Sequence, residues 1–257
     1  MNVKIIFFDV DGTLINYEDG SISPSTKKAI QTLKNNGIRL VAATGRPLSM
    51  CQELKELGID TFITANGAYV KHKNRVIHKI PVTKDVVQAV KNFADENEQS
   101  LSFFTEELFM NGVQNMTTLQ ALIETLSLRE FPATIEKIVN QEIYLMCLYA
   151  DEQTAEKYTI KFPELIFKRW HPWILNVLQQ DVSKSIAVKK VLEYFNIKPS
   201  EAIAFGDGEN DIDMIEQVGY GIAMGNAHET LKNVADFVTK KSSEDGIEFA
   251  LQKLQLI

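Results

Sequence analysis

Short apolar runs alternate along this chain with stretches in which apolar positions recur every three or four residues. The two rhythms predict strands and amphipathic helices respectively. The first run, Ile5-Ile6-Phe7-Phe8, leads into Asp9-Val10-Asp11-Gly12-Thr13 and reads as a buried strand ending in acids. Ser23-Pro24 supplies an N-cap and a first-turn proline for a helix over 25–36, with Ala29, Ile30 and Leu33 on one face and Gly37 as its stop. A second strand over 38–43 runs into Thr44-Gly45-Arg46-Pro47. A helix over 48–57 halts at Gly58, and a third strand covers 59–64. Strands alternating with helices of this length imply βαβ units and a parallel sheet.

The rhythm then changes. Asn66-Gly67 and Lys73-Asn74 are turn dipeptides beside 69–71 and 76–79, a small hairpin. From about 83 the pattern predicts a helix over 85–98, strands near 101–104 and 109–111, and a helix near 116–126. Strands near 134–137 and 144–149 follow, then a helix from Glu152 and strands near 165–169 and 173–178. Strands placed next to one another indicate an antiparallel α+β unit. The α/β rhythm returns with Ser183 capping a helix over 184–195, then a strand over 203–205 that ends in Gly206-Asp207-Gly208-Glu209-Asn210-Asp211. A helix to about 218, a strand over 220–223, a helix from His228, a strand over 237–239 and a helix over 247–254 complete the chain. The expected organisation is a Rossmann-like α/β core, 1–82 and 184–257, interrupted by an α+β insertion over 83–183.

Composition narrows the setting. A chain of 257 residues with 45% hydrophobic and 24% charged residues is ordinary for a globular protein. A net charge of -7 lacks the basic footprint that nucleic acid requires. Cys51 and Cys147 are the only cysteines, without metal-ligand spacing. No apolar run approaches the ~18 residues of a membrane span and no leader pattern opens the chain, so a cytoplasmic protein is expected.

Three predicted strand ends carry reactive groups: Asp9 and Asp11, then Thr44, then Asp207 with Asn210 and Asp211. A lone Asp-x-Asp-Gly is more often a turn than a site. In a parallel sheet, however, all carboxyl ends share one edge, so these groups can converge. Several carboxylates and an amide in a small space call for a hard cation, and an oxygen donor set suits Mg²⁺. Lys184 enters the same core at the start of a helix. A lysine is usually a solvated surface group, but beside acids, a metal and a hydroxyl it completes a site for a phosphoryl group.

Asp9-Val10-Asp11-Gly12-Thr13, Thr44, Lys184 and Gly206-Asp207-Gly208-Glu209-Asn210-Asp211 together resemble the four ordered motifs of the haloacid dehalogenase-like superfamily. The size and place of the insertion, with Ala65-Asn66-Gly67-Ala68 before it, resemble the Cof-type phosphatase branch of subfamily IIB, whose insertion is a type C2B cap. One position departs from that pattern: Lys184 is followed by Ser185 where the branch commonly has glycine.

The resemblance implies a Mg²⁺-dependent phosphatase acting on small phosphate monoesters such as sugar phosphates, pyridoxal phosphate, flavin mononucleotide or nucleotides. It implies Asp9 as the nucleophile that forms an aspartyl-phosphate, and Asp11 as general acid and then base. Metal ligands would be Asp9, the backbone carbonyl of Asp11, and Asp207, with Asn210 and Asp211 in support. Gly12, Thr44, Gly45 and Lys184 would hold phosphoryl oxygens, and Arg46 is a candidate substrate contact. The cap would set specificity. Trp170, His171 and Trp173 crowd one predicted cap strand, where packing is the simpler expectation. A phosphotransferase or phosphomutase could use the same intermediate, and a non-enzymatic regulator could keep the fold. The partner expected is a small phosphorylated metabolite.

Overall fold

The computed structural model describes residues 2–135 and 137–257. The first apolar run forms β1 (Ile5–Asp9), every residue of which is buried. The Ser23 hydroxyl accepts a hydrogen bond from the Thr26 N–H and so caps α1 (Pro24–Asn35). β2 (Arg39–Ala43) follows. The helix expected over 48–57 is shorter. The Met50 N–H donates to Pro47 O, making Leu48–Cys51 a 3-10 turn, and only α2 (Gln52–Glu56) is α-helical. Next come β3 (Thr61–Thr64) and the hairpin of β4 (Tyr69–His72) and β5 (Arg75–Lys79).

The middle of the chain supplies α3 (Lys84–Glu96), β6 (Leu101–Phe104), β7 (Leu108–Met110), α4 (Met116–Leu126), β8 (Leu145–Tyr149), α5 (Glu152–Lys161), β9 (Ile166–His171) and β10 (Ile174–Leu178). Of the strand expected over 134–137, Thr134 makes an isolated bridge to Met110, and Glu136 lies outside the described residues. The last third supplies α6 (Lys184–Phe195), β11 (Ala202–Gly206), α7 (Ile212–Gln217), β12 (Tyr220–Ala223), α8 (Glu229–Val234), β13 (Phe237–Val238) and α9 (Gly246–Lys253).

Contacts divide the chain into two compact units. One holds the chain up to Gly45 with Cys51–Lys79 and Ser183–Ile257; the other holds Arg46–Met50 and Ile80–Val182. Among the described residues, the first unit carries a sheet in the order β13-β12-β11-β1-β2-β3-β4-β5. It is parallel from β13 to β3 and antiparallel at β4 and β5. The connection from β1 to β2 moves one way along the sheet and that from β11 to β12 moves the other. Since such crossovers are right-handed, α1 and α7 lie on opposite faces. α9 packs with α1, and α6 and α8 pack with α7. Both faces are therefore covered, which explains why β1 is an unbroken apolar run.

In the second unit the sheet runs β7-β6-β8-β10-β9 and is antiparallel throughout. Leu101, Phe103, Met146, Leu148, Leu175 and Val177 share a core with Val87 and Val90 of α3 and Tyr158 of α5. The opposite face carries a polar row in register, Ser102, Cys147, Asn176 and Lys168. None of the helices among the described residues is long and apolar enough to cross a membrane.

Phe8 and Phe205 are paired across β1 and β11, both fully buried, with stacked rings 5.1 Å apart. Phe205→Ala should lower the unfolding free energy by about 3–5 kcal/mol through lost burial and a residual cavity. Val76→Ala, on an exposed stretch of β5, should stay within about 0.5 kcal/mol. Denaturant titration measures both, and a loss below about 1 kcal/mol for Phe205→Ala would contradict this packing.

Candidate active site

β11, β1 and β2 are neighbours in the sheet and parallel, so their carboxyl ends share one edge. The chain leaves β1 toward β2 and leaves β11 in the other direction. The two crossovers diverge there, the kind of switch point at which open α/β sheets place ligands. Asp9 ends β1, Thr44 follows β2 and Asp207 follows β11.

Lys184 joins these segments. Its Nζ donates to Asp9 Oδ1 at 2.6 Å, to Asp211 Oδ1 at 2.6 Å and to the Ala43 carbonyl at 3.2 Å. The residue is 2% exposed, so all three ammonium protons are spent inside the protein. Its position is fixed by the start of α6, where the Ser183 hydroxyl accepts from the Ile186 N–H and Asp213 Oδ2 accepts from the Ser185 N–H. The serine that departs from the branch pattern is thus held by its backbone. Asp211 is fully buried, and its Oδ2 accepts from the N–H groups of Asp207 and Gly208. A Cβ on Gly206 would stand 2.6 Å from Asp211 Cβ, so the turn requires glycine there.

Asp9, Asp207 and Asp211 each offer a carboxylate oxygen within 4.8 Å of the others, and all three are buried. Burial, followed by the charge of Asp211, raises the Asp9 pKa well above the usual carboxylate range despite Lys184. The same two causes, in the same order, push Asp207 up to about 7. For Lys184, burial works against the charge, but Asp211 and Asp9 overcome it and raise its pKa. One ammonium among three carboxylates leaves the cluster short of positive charge. An oxygen donor set with that deficit fits a hard divalent cation. Both Asp211 oxygens already accept hydrogen bonds, so Asp9 and Asp207 are the carboxylates with capacity to ligate, and Asp211 braces them.

The remaining motif residues lie around this cluster. Asp11 is half-buried, beyond the three-acid group, and Gly12 turns with φ +82°. A Cβ on Gly12 would come within 2.2 Å of both Asp207 Oδ2 and Tyr17 Cε2. Thr44 is buried, and its N–H is used by Ile63 O. Asn210 Nδ2 donates to Asn66 Oδ1 at 3.4 Å. Arg46 belongs to the second unit. So do Trp170, whose Nε1 donates to Asn176 Oδ1 at 2.9 Å, and His171, which pairs with Glu124 at 3.1 Å.

Two residues of the cluster escaped sequence reasoning. Asn226 Nδ2 donates to the Gly12 carbonyl at 2.9 Å and reaches Asp207 Oδ2 at 3.4 Å, while its Oδ1 accepts from the Ser242 N–H. Its signal was available, since Gly225-Asn226 follows the carboxyl end of another parallel strand, β12. Tyr17 is largely exposed, but its ring edge lies against Gly12. Nothing in the loop sequence distinguishes it.

Removing the ammonium tests the cluster. Lys184→Met should destabilise the metal-free protein by about 3–5 kcal/mol at pH 8, because it leaves carboxylates buried without a counter-charge. Asp9 and Asp207 have raised pKa values in the fold, so the folded state takes up protons before the unfolded chain does. Protonation as pH falls through 7 relieves the repulsion, and the deficit should shrink by pH 5. Denaturant titrations at both pH values check this; a deficit that grew toward acid would contradict it.

Comparison with known proteins agrees on one family. The model of the haloacid dehalogenase-like hydrolases matches residues 6–251. A putative phosphatase of Bacillus subtilis, YkrA, is 37% identical over 259 residues, which is all of both chains. The crystal structure of a hypothetical protein from Geobacillus kaustophilus superposes with a TM-score of 0.92 at 36% identity, covering 99% of this chain and 100% of that one. The structure of a subclass IIB sugar phosphatase, BT4131, superposes with a TM-score of 0.84 at 31% identity over 99% and 100% of the two chains. With its Rossmann-like core and inserted α+β cap, the chain belongs to the haloacid dehalogenase-like hydrolase family, in its Cof-type subclass IIB branch.

Proposed function

We propose that this protein is a Mg²⁺-dependent phosphatase that hydrolyses small phosphate monoesters through an aspartyl-phosphate on Asp9. The observation that carries the reading is the buried Lys184 ammonium holding Asp9 Oδ1 at 2.6 Å at the carboxyl end of β1, beside Asp207 and Asp211. The relative named a putative phosphatase at 37% identity and the sugar phosphatase at 31% identity support the reaction class.

Lys184 orients the Asp9 carboxylate, which attacks phosphorus; the Asp9 O–P bond forms as the ester P–O bond breaks. Asp11, the more exposed of the two acids, gives its proton to the departing alcohol. It then accepts a proton from water, which attacks phosphorus and frees the Asp9 carboxylate. Thr44 and the backbone at Gly45 hold phosphoryl oxygens, where charge spreads in a loose transition state. Lys184 contributes its charge from behind Asp9, and the Gly12 N–H, expected to bind phosphate, is instead given to Ile15 O. Asp9, Asp207 and the Asp11 carbonyl would hold Mg²⁺, which when bound offsets the negative charge of the pocket as an anionic ester approaches. The second unit acts as the cap that selects the leaving group, and the water attack that ends the cycle makes the reaction hydrolysis.

Phosphate release across sugar phosphates, pyridoxal phosphate, flavin mononucleotide and nucleotides tests this reading. Turnover should require Mg²⁺ and fall by at least about 1000-fold in Asp9→Asn, and by about 10²–10⁴-fold in Asp11→Asn. Metal-independent turnover, or an active Asp9→Asn enzyme, would refute it.

A second measurement follows from Asp207, whose pKa lies at about 7 without metal. A ligating carboxylate must lose its proton, so Mg²⁺ should bind more weakly as pH falls below 7. Calorimetry in buffers of different ionisation enthalpy should show protons released at pH 6 and far fewer at pH 8. Binding without proton release at pH 6 would contradict the ligand assignment.

A further inference from the structure

The segment after β3 takes an unusual path. Ala65, Asn66 and Gly67 have φ values of +50°, +54° and +106°, three successive residues in the left-handed region. Only glycine enters it freely, and strain of this kind gathers where a site demands it. The path is imposed by neighbours on several sides. The Asn66 N–H donates to Thr44 O at 3.1 Å. A Cβ on Gly67 would stand 2.2 Å from Ser183 O, so the segment is pressed against the first turn of the helix that carries Lys184. Asn66 is 8% exposed, and a Cβ on Gly45 would lie 3.3 Å from both atoms of its amide head. Its Oδ1 accepts from Asn210 Nδ2, and no described residue accepts a hydrogen bond from its Nδ2. One side chain therefore stands where the segments of Thr44-Gly45, Lys184 and Asn210 meet, with a donor left over.

We propose that Asn66 is a phosphoryl-binding residue, its Nδ2 donating a hydrogen bond to a non-bridging oxygen of the bound ester. The inference rests on the phosphatase reading above and adds to it a residue that the turn dipeptide Asn66-Gly67 conceals. It also accounts for the strain: a residue needed only to turn the chain would be better served by glycine, and asparagine is the side chain that tolerates the left-handed region while carrying a donor.

Asn66→Gly separates the two roles. Glycine accepts the backbone conformation without strain and removes the donor. The melting temperature should stay at or above the wild-type value. kcat/KM for the preferred ester should fall about 10–100-fold, the range of one hydrogen bond to a charged group, with inhibition by orthovanadate weakened similarly. Asn66→Asp keeps the shape but offers only acceptors, and should lose at least as much. Activity and vanadate inhibition within twofold of wild type in Asn66→Gly would overturn the proposal. So would a loss of activity that merely follows a fall in melting temperature. If the wild type turns over no ester, the phosphatase reading fails by itself. The Asn66 assignment is then decided by calorimetry of inorganic phosphate with the Mg²⁺-loaded protein: weaker binding by Asn66→Gly supports it, and equal binding overturns it.

Discussion

A lysine ammonium removed from water must find partners for its charge and its three protons, and Lys184 finds them in Asp9, Asp211 and the Ala43 carbonyl. Asp9 lies 175 positions from it in the chain and Asp211 lies 27. The contact therefore ties the end of β1 to the loop after β11 and to the start of α6, three segments brought together only by the fold. A pair of this kind is not a cheap source of stability, since desolvation offsets much of the attraction. Its value lies in the arrangement it enforces: one carboxylate is held at the strand end, and a second is held by two loop N–H groups. The charge deficit that remains is what fits this oxygen donor set to a hard divalent cation.

The glycines around the cluster belong to the same constraint. Gly12 and Gly206 stand where a Cβ would strike Asp207 and Asp211, so the acids can approach the backbone only because those side chains are missing. Asn226 closes the other side by joining the Gly12 carbonyl, Asp207 and the Ser242 N–H. The polar groups at this strand edge are thus held against the backbone and hydrogen-bonded to one another. That is the condition for preorganised electrostatics.

Much of this was legible in the sequence, and for a physical reason. A strand buried on both faces is an unbroken apolar run, so Ile5–Asp9 announces itself, and the acids at its end fall at the sheet edge where the other strand ends must also lie. Lys184 was legible through its place at a helix start just after a capping Ser183. Positions that depend on packing between distant segments were not. The helix over 48–57 has helical periodicity, yet a 3-10 turn after Pro47 takes its first half. Asn66-Gly67 has the composition of an ordinary turn, and its left-handed path is set by Ser183 and Thr44, which no local pattern reports. Tyr17 is one aromatic in a polar loop until the fold sets it against Gly12.

The central claim is that Asp9 carries the phosphoryl group between its donor and water. The most direct test is chemical trapping. Enzyme turning over its preferred ester is quenched in acid and reduced with borohydride, which converts an aspartyl-phosphate to homoserine, and the peptides are read by mass spectrometry. Homoserine at position 9, absent without substrate and absent in Asp9→Asn, is the predicted result. Sustained turnover with Asp9 unmodified in the trapped enzyme, or reduction at another carboxylate, would contradict it.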